Sequence, residues 1–435
     1  MSRSAALALS VLICSCAASP GQGGQEESGC NTRISGVVTA PNGIDPIPGA
    51  RVFLPRSTPP PLPPEIRCEP CGPGDEGVEV LARAESGPDG RFLLQRLPEV
   101  VPGGSLTIYI QKGRWRRHLE VRVRPCRETQ LGPGEARLPR HRGEGDMPSM
   151  AVAVGDFDAI ECVLQHIGVD AREFTSPNEA GAVHLYENEQ RRLGGAPGGV
   201  PVDRLLLDPR ALRRYHIVLL NCTDVGGIEP YVRDALVQRN LLDYVSQGGR
   251  LYTTDWTYNF IAQQPEWAPF LCFQDGTACG KPGPRPFQGA AVGLPGNFVA
   301  TVPGRDMRPR SQDAVQGLYD WLRLPQFALM SGQIPIADLL LGWVLMEGTA
   351  PDMARYPTLT WLRGYTNGAD RPLSVTFDYP QPRACGRILY SSHHTRGHLV
   401  PGVLFPRYCP QDIIPQERVL EYLLFEVAAC VPVLG

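Results

Sequence analysis

Several strand-like runs in the second half of this chain end on residues that can exchange protons or hold a ligand. Residues 150–154 lead into Gly155 and Asp156, 216–222 into Thr223 and Asp224, 250–254 into Asp255 and Trp256, and 387–392 into His393 and His394. A carboxylate beside an imidazole can serve as an acid–base pair, and Asp255 with His393 or His394 is the candidate. The indole of Trp256 offers a flat apolar face on which a sugar ring can stack. His394 and His398 have a spacing that chelates a metal when both lie on one helix, but Arg396-Gly397 between them favours a loop. No metal and no other cofactor is therefore assigned. The simpler roles are a helix cap for Asp255, structural hydrogen bonds for His393 and His394, and a core or crevice lining for Trp256.

For these residues to meet, their strands must lie side by side. Residues 150–154 read Met-Ala-Val-Ala-Val, an uninterrupted apolar run suited to a strand buried on both faces of a parallel sheet. Gly155-Asp156 can cap a helix with Phe157, Ile160, Leu164 and Ile167 on one face. A strand around Ile217-Val218-Leu219-Leu220 is followed by a helix from about 231 to 246, which Gly248-Gly249 stops before the strand 250–254. Residues 373–379 and 387–392 read as paired strands. A last helix begins at Pro415 and packs through Val419, Leu420, Leu423, Leu424 and Val427. This alternation predicts an α/β doubly wound parallel sheet, flavodoxin-like, over 148–435. Open sheets of that kind place their sites at the carboxyl ends of the strands. The run 334–346 is the most apolar, but Pro335, Asp338 and Gly342 interrupt it, so it reads as buried core rather than a membrane span.

The first third is of another kind. Short runs at 34–38, 50–54, 78–84, 92–94, 106–111 and 118–123 are separated by turn residues, with Gly87-Pro88-Asp89-Gly90 a hairpin signal. They predict an all-β sandwich over 33–126, with 127–147 a linker. The series Ile34-x-Gly36-x-Val38, Pro48-Gly49-Ala50-x-Val52, Asp89-Gly90-x-Phe92-x-Leu94 and Leu97-Pro98 resembles a carboxypeptidase regulatory-like domain. That resemblance implies a transthyretin-like sandwich without catalytic residues, used for spacing, packing or binding. A Pro-rich insertion from Pro55 to Pro73 departs from the pattern and carries Cys68-Glu69-Pro70-Cys71. With no helix starting at Cys71 and no second C-x-x-C, a redox or zinc role lacks its context. Cys68 and Cys71 are expected to pair with Cys30 and Cys126.

In the second part, Val152-Ala153-Val154-Gly155, the strand ending Asn221-Cys222, Gly248-Gly249-Arg250-Leu251-Tyr252 and Gly386-Arg387-Ile388-Leu389-Tyr390 resemble the class I glutamine amidotransferase-like fold. Within it, the trehalose-utilisation-protein-like branch is the nearest, and an insertion at about 264–326 falls outside the pattern. Amidotransferases need a cysteine nucleophile between glycines on a tight elbow. The corresponding strand end here reads Thr254-Asp255-Trp256-Thr257-Tyr258, so that activity is not expected.

The chain opens with Arg3, a mostly apolar run from Ala5 to Ile13, and Cys14-Ser15-Cys16. Ile13-Cys14-Ser15-Cys16 resembles a lipobox, which implies removal of 1–15 and a lipid thioether on Cys16. Residues 16–32 then form a polar tether. Of the 13 cysteines, those that remain after processing suit an exported, disulfide-bonded protein; Cys272 and Cys279 are expected to close a local loop. Cys385, Cys409 and Cys430 could supply another bond, while Cys162 and Cys222 read as buried and free. A formal net charge of −3 argues against a nucleic-acid partner. The chain is thus expected to be anchored to the cell-envelope membrane. Its degenerate α/β domain would bind a carbohydrate or an envelope protein, the alternative being a hydrolase or sugar-modifying enzyme built on Asp255.

Overall fold

The structure, a computed structural model, describes residues 31–68, 77–98, 101–155, 157–187, 199–280, 286–303, 309–327, 329, 331–397, 403 and 405–429. Cys14, Cys16, Cys30, Cys71, Asp156, His398 and Cys430, all singled out above, lie outside the described residues.

The sandwich is built from β1 (Arg33–Val37), β2 (Arg51–Pro55), β3 (Val80–Glu85), β4 (Arg91–Leu94), β5 (Ser105–Lys112), β6 (Trp115–Arg122), β7 (Glu128–Gln130) and β8 (Gly145–Asp146). One sheet runs β4-β1-β7 and the other β3-β2-β5-β6-β8. Alternate apolar residues such as Ile34, Val52, Phe92, Leu94, Ile108 and Ile110 meet between them. The turn at Gly87–Gly90 forms, closed by the Gly87 amide on the Arg91 carbonyl at 2.9 Å, but it does not make a hairpin. Its flanking strands go to different sheets, β3 to β2 and β4 to β1, so it turns a corner of the sandwich. The stretch expected as a linker contributes β7 and β8 to the two sheets and buries Ala136 and Leu138.

The rest of the chain is centred on one ten-stranded mixed sheet. Its parallel part contains β9 (Met150–Val154), β10 (Phe174–Thr175), β11 (Val183–Glu187), β12 (Ile217–Leu220), β13 (Arg250–Thr254) and β20 (Gly386–Ser391), in the order β10-β11-β9-β12-β13-β20. β14 (Leu271–Phe273) and β17 (Met346–Thr349) pair apart from it. β15 (Gly296–Thr301), β16 (Gln333–Leu339), β18 (Thr358–Thr366) and β19 (Ala369–Tyr379) extend the large sheet antiparallel beyond β20. The expected parallel sheet is thus one part of a larger mixed sheet, and the strands read as a pair, β19 and β20, are its antiparallel junction. Part of the segment that fits no expected pattern, β15, is a strand of this extension.

Period-two alternation explains why the parallel strands are covered on both faces. Val152, Leu219, Tyr252 and Leu389 point to one core, and Ala151, Val218, Leu251 and Ile388 to the other. The first face is covered by α1 (Ile160–His166) and the long closing helix Pro415–Val427, and the second includes the helix Ala235–Ser246. Helix formation around 231 is broken where Asp234 caps Ala235–Ser246, accepting from the amides of Leu236 and Val237, so two helices replace the single one expected. Among the described residues, no helix is long and apolar enough to cross a membrane.

Cysteine pairing differs from expectation. Cys68 bonds Cys385, with Cα atoms 4.7 Å apart, rather than a cysteine of the sandwich. Cys162 bonds Cys409 instead of being free, while Cys222 is buried and free, and Cys272 pairs with Cys279. Cys126 is also disulfide-bonded. Long-range pairing of this kind cannot be read from spacing, because it depends on how distant segments dock, the Pro-rich insertion in the case of Cys68.

Candidate functional site

The carboxyl ends of β9, β12, β13 and β20 do bring the singled-out residues into one neighbourhood. β13 ends at Thr254, and Asp255 turns the chain with φ of 41°, a left-handed conformation that non-glycine residues seldom hold. The turn is secured by Thr257, whose hydroxyl accepts from the Thr254 amide at 2.8 Å. Asp255–Tyr258 form a single 3-10 turn.

Asp255 is buried, and both of its oxygens are occupied. Oδ1 accepts from the Val344 amide at 2.7 Å, and Oδ2 accepts the Cys222 thiol at 3.5 Å. Burial raises its pKa to about 6, against the opposing pull of His394. Burial also pushes the Cys222 thiol well above its usual range, so it stays a neutral donor rather than a thiolate. Trp256 donates its indole N–H to the Gly342 carbonyl at 2.7 Å and lies beside Phe157, with ring centroids 6.5 Å apart. Residues 342–344 therefore close over the strand end, gripping Asp255 and Trp256 together.

The histidines serve the fold. His393 is buried with Nε2 3.0 Å from the Ser374 hydroxyl, and desolvation followed by the neighbouring His394 lowers its pKa to about 3. His394 donates from Nδ1 to the Thr395 carbonyl at 2.7 Å. No hydrogen bond joins Asp255 to either histidine among the described residues. The candidate acid–base pair is therefore brought close, with His394 acting on Asp255 through charge, but its members are not hydrogen-bonded to each other.

Two carboxylates that sequence reasoning passed over do more of the local binding. Asp158 is fully buried and accepts the Thr254 hydroxyl at 2.5 Å, the Thr395 amide at 3.0 Å and the Thr395 hydroxyl. It ties the end of β13 to the loop after β20. Glu161, also fully buried, accepts the Tyr408 hydroxyl at 2.5 Å and the Asn221 side-chain Nδ2 at 2.9 Å. Burial raises its pKa to about 7. The signal available in the sequence was the acidic pair itself, Asp158 and Glu161, set on a stretch otherwise expected to face the core.

Among the described residues no group of three or more His, Cys, Asp or Glu side chains is placed to hold a metal. Asp224 caps the helix Val225–Val232 through the Gly227 amide at 2.9 Å, a local structural role. No protein-family model matches the sequence, and no curated protein matches it.

Proposed function

We propose that this chain is a lipid-anchored cell-envelope protein whose α/β domain binds a ligand or a partner protein without catalysing a reaction. The observation that carries the non-catalytic reading is the Asp255 carboxylate, held by Val344 and Cys222 under residues 342–344. A general acid or base needs an open line to its substrate, and this group is only 4% exposed. The lipid anchor rests on the lipobox-like Ile13-Cys14-Ser15-Cys16 and on the polar stretch after it.

The two fold likenesses belong to the same proposal. A regulatory-like sandwich is a spacing and packing unit. The strand order β11-β9-β12-β13-β20 and the left-handed Asp255 agree with an amidotransferase-like domain whose elbow has lost its nucleophile. Carbohydrate or an envelope protein is the proposed class of partner.

Expression of the full chain and its Cys16→Ala variant, followed by membrane fractionation, tests the anchor. Loss of membrane retention in the variant is expected, and unchanged retention overturns lipidation at Cys16. A screen of glycoside and ester substrates tests the rest: turnover that disappears in Asp255→Asn, with folding intact, overturns the non-catalytic reading.

A further inference from the structure

At the opposite, amino-terminal ends of the same strands the chain leaves a cavity of about 510 Å3. That volume falls in the range of small-molecule clefts, about 300–1,000 Å3. Ser149 and His216 line it just before β9 and β12, and His184 lines it from the start of β11. The facing wall comes from the Pro-rich insertion, residues 62–65, and from Arg114 of the sandwich. This wall is fixed in place. The Ile66 amide donates to the Arg213 carbonyl at 3.1 Å, Ile66 itself is buried, and the Cys68–Cys385 disulfide fastens the segment to the residue before β20. A preformed wall removes much of the ordering cost of binding.

Two of the cations lining the cavity, Arg142 and Arg214, are held by neutral acceptors among the described residues. Arg142 donates to the Ala180 carbonyl at 3.0 Å and to the Ser149 hydroxyl at 2.9 Å, and Arg214 donates to the Pro177 carbonyl at 3.4 Å. Arg114 donates to the Pro63 carbonyl at 2.7 Å. Carbonyls and hydroxyls orient a guanidinium without cancelling its charge, and most N–H donors of Arg142 and Arg214 remain unclaimed among the described residues. Three carboxylates also line the space, Glu65, Asp146 and Glu179. Asp146 is paired with Arg116 at 2.8 Å, and Glu179 accepts the Ser176 amide at 3.0 Å.

Both histidines in the wall are fixed as neutral tautomers. His216 accepts the Ser149 amide on Nδ1 at 2.9 Å and donates from Nε2 toward the Pro63 carbonyl at 3.3 Å. His184 donates from Nε2 to the Glu179 carbonyl at 3.2 Å and accepts the Tyr215 hydroxyl on Nδ1 at 2.7 Å, while Tyr186 donates to Tyr215 at 2.8 Å. Burial is the main cause of their lowered pKa values, about 3 and about 4. The arginines push the same way, Arg114 and Arg142 on His216, Arg214 and Arg142 on His184. The two neutral rings thus lie beside Arg142, which lines the same space and adds to the effect of burial on both.

We infer that this seam binds a small organic oxyanion of sugar size, a carboxylate or a phosphate ester, gripped by Arg142 and Arg214 with its hydroxyls on the neighbouring carbonyls and carboxylates. The inference rests on the ligand-binding reading above but not on its other two parts. Turnover at Asp255 or failure of lipidation would overturn those parts and leave the seam site standing.

The test is calorimetric titration of the detergent-solubilised full chain with glucose 6-phosphate, glucuronate and uncharged glucose. One or both anions are expected to saturate a single site while glucose gives no heat of binding. Binding of the phosphate ester alone assigns phosphate, and of glucuronate alone assigns carboxylate. Arg142→Gln and Arg214→Gln are each expected to weaken binding by about tenfold or more at an unchanged melting temperature. The Arg214 side chain makes one hydrogen bond among the described residues, to the Pro177 carbonyl, so its variant carries the test if Arg142→Gln does not fold. Absence of binding by both anions, equal binding of glucose, or unchanged affinity in the folded variant overturns the proposal.

Discussion

Lys112 Nζ lies 2.6 Å from Glu426 Oε1, joining the end of a sandwich strand to the closing helix across 314 positions of sequence. The lysine side chain is only 8% exposed. Arg418 on Asp45 at 2.8 Å and the Trp321 indole on the Pro46 carbonyl at 2.6 Å repeat the connection nearby. The two parts therefore share one packed core rather than hanging on a flexible joint.

Removing one partner of a buried ion pair leaves the other charge without compensation, at a cost of about 3–5 kcal/mol. Glu426→Ala is therefore expected to destabilise the whole chain by an amount of that order, measured by urea unfolding. Lys112→Met with Glu426→Leu should recover most of the loss, since no charge is then stranded. A Glu426→Ala variant as stable as its parent would show that the contact contributes little across the interface.

Asp255 offers a second test. Asp255→Ala leaves the Val344 amide and the Cys222 thiol without their acceptor and puts a plain Cβ residue at φ of 41°. An unsatisfied buried donor costs about 1–3 kcal/mol. Asp255→Asn can keep one oxygen on Val344 and tolerates the left-handed turn, so it should be clearly the more stable of the two variants. Equal melting temperatures for the pair would argue against a structural role of this carboxylate.

The sequence made β9, β12, β13, the β19–β20 pair and the closing helix legible because each carries a continuous apolar run or a strong cap. The antiparallel extension through β15 and β18 was not legible, since strand direction is set by connection and not by composition. Asp255, His393 and His394 follow the paired strands β13 and β20, whose apolar runs the sequence displays. Their sealing was not foreseeable, because it depends on Val344 and Gly342 arriving from a segment about ninety residues further along the chain. The seam cavity has no such signal: its arginines are scattered through the sequence, and its facing wall exists only where the Pro-rich insertion docks.

The disulfide between Cys68 and Cys385 spans 317 residues and fastens that insertion. Native disulfides stabilise by about 2–4 kcal/mol, chiefly by restricting the unfolded chain. Cys68→Ala with Cys385→Ala should lower stability by that amount. Limited proteolysis should then cut first within residues 56–67, where the loop loses its fastening. Cleavage elsewhere, with this loop still protected, would show that Ile66 and the arginine contacts hold it alone.

Glu161 gives a pH dependence whose sign is fixed by its burial. Its pKa rises from 4.5 to about 7 in the folded protein, with burial the main cause and the Tyr408 and Asn221 hydrogen bonds opposing it. Below pH 4.5 the group is protonated in folded and unfolded chains alike, and its neutral form fits the core. As pH climbs, the unfolded chain ionises first, and the stability linked to this group falls until the folded pKa near 7 is passed. A shift of this size corresponds to roughly 3 kcal/mol lost across the window. Asp255, raised to about 6, acts in the same direction over a narrower range. Glu161→Gln keeps the shape but cannot ionise, so its unfolding free energy should fall less steeply between pH 4.5 and 8 than that of the parent. Urea melts across that range decide the matter: parallel curves for the two proteins would mean that Glu161 is ionised, or solvated, in the folded state at every pH examined.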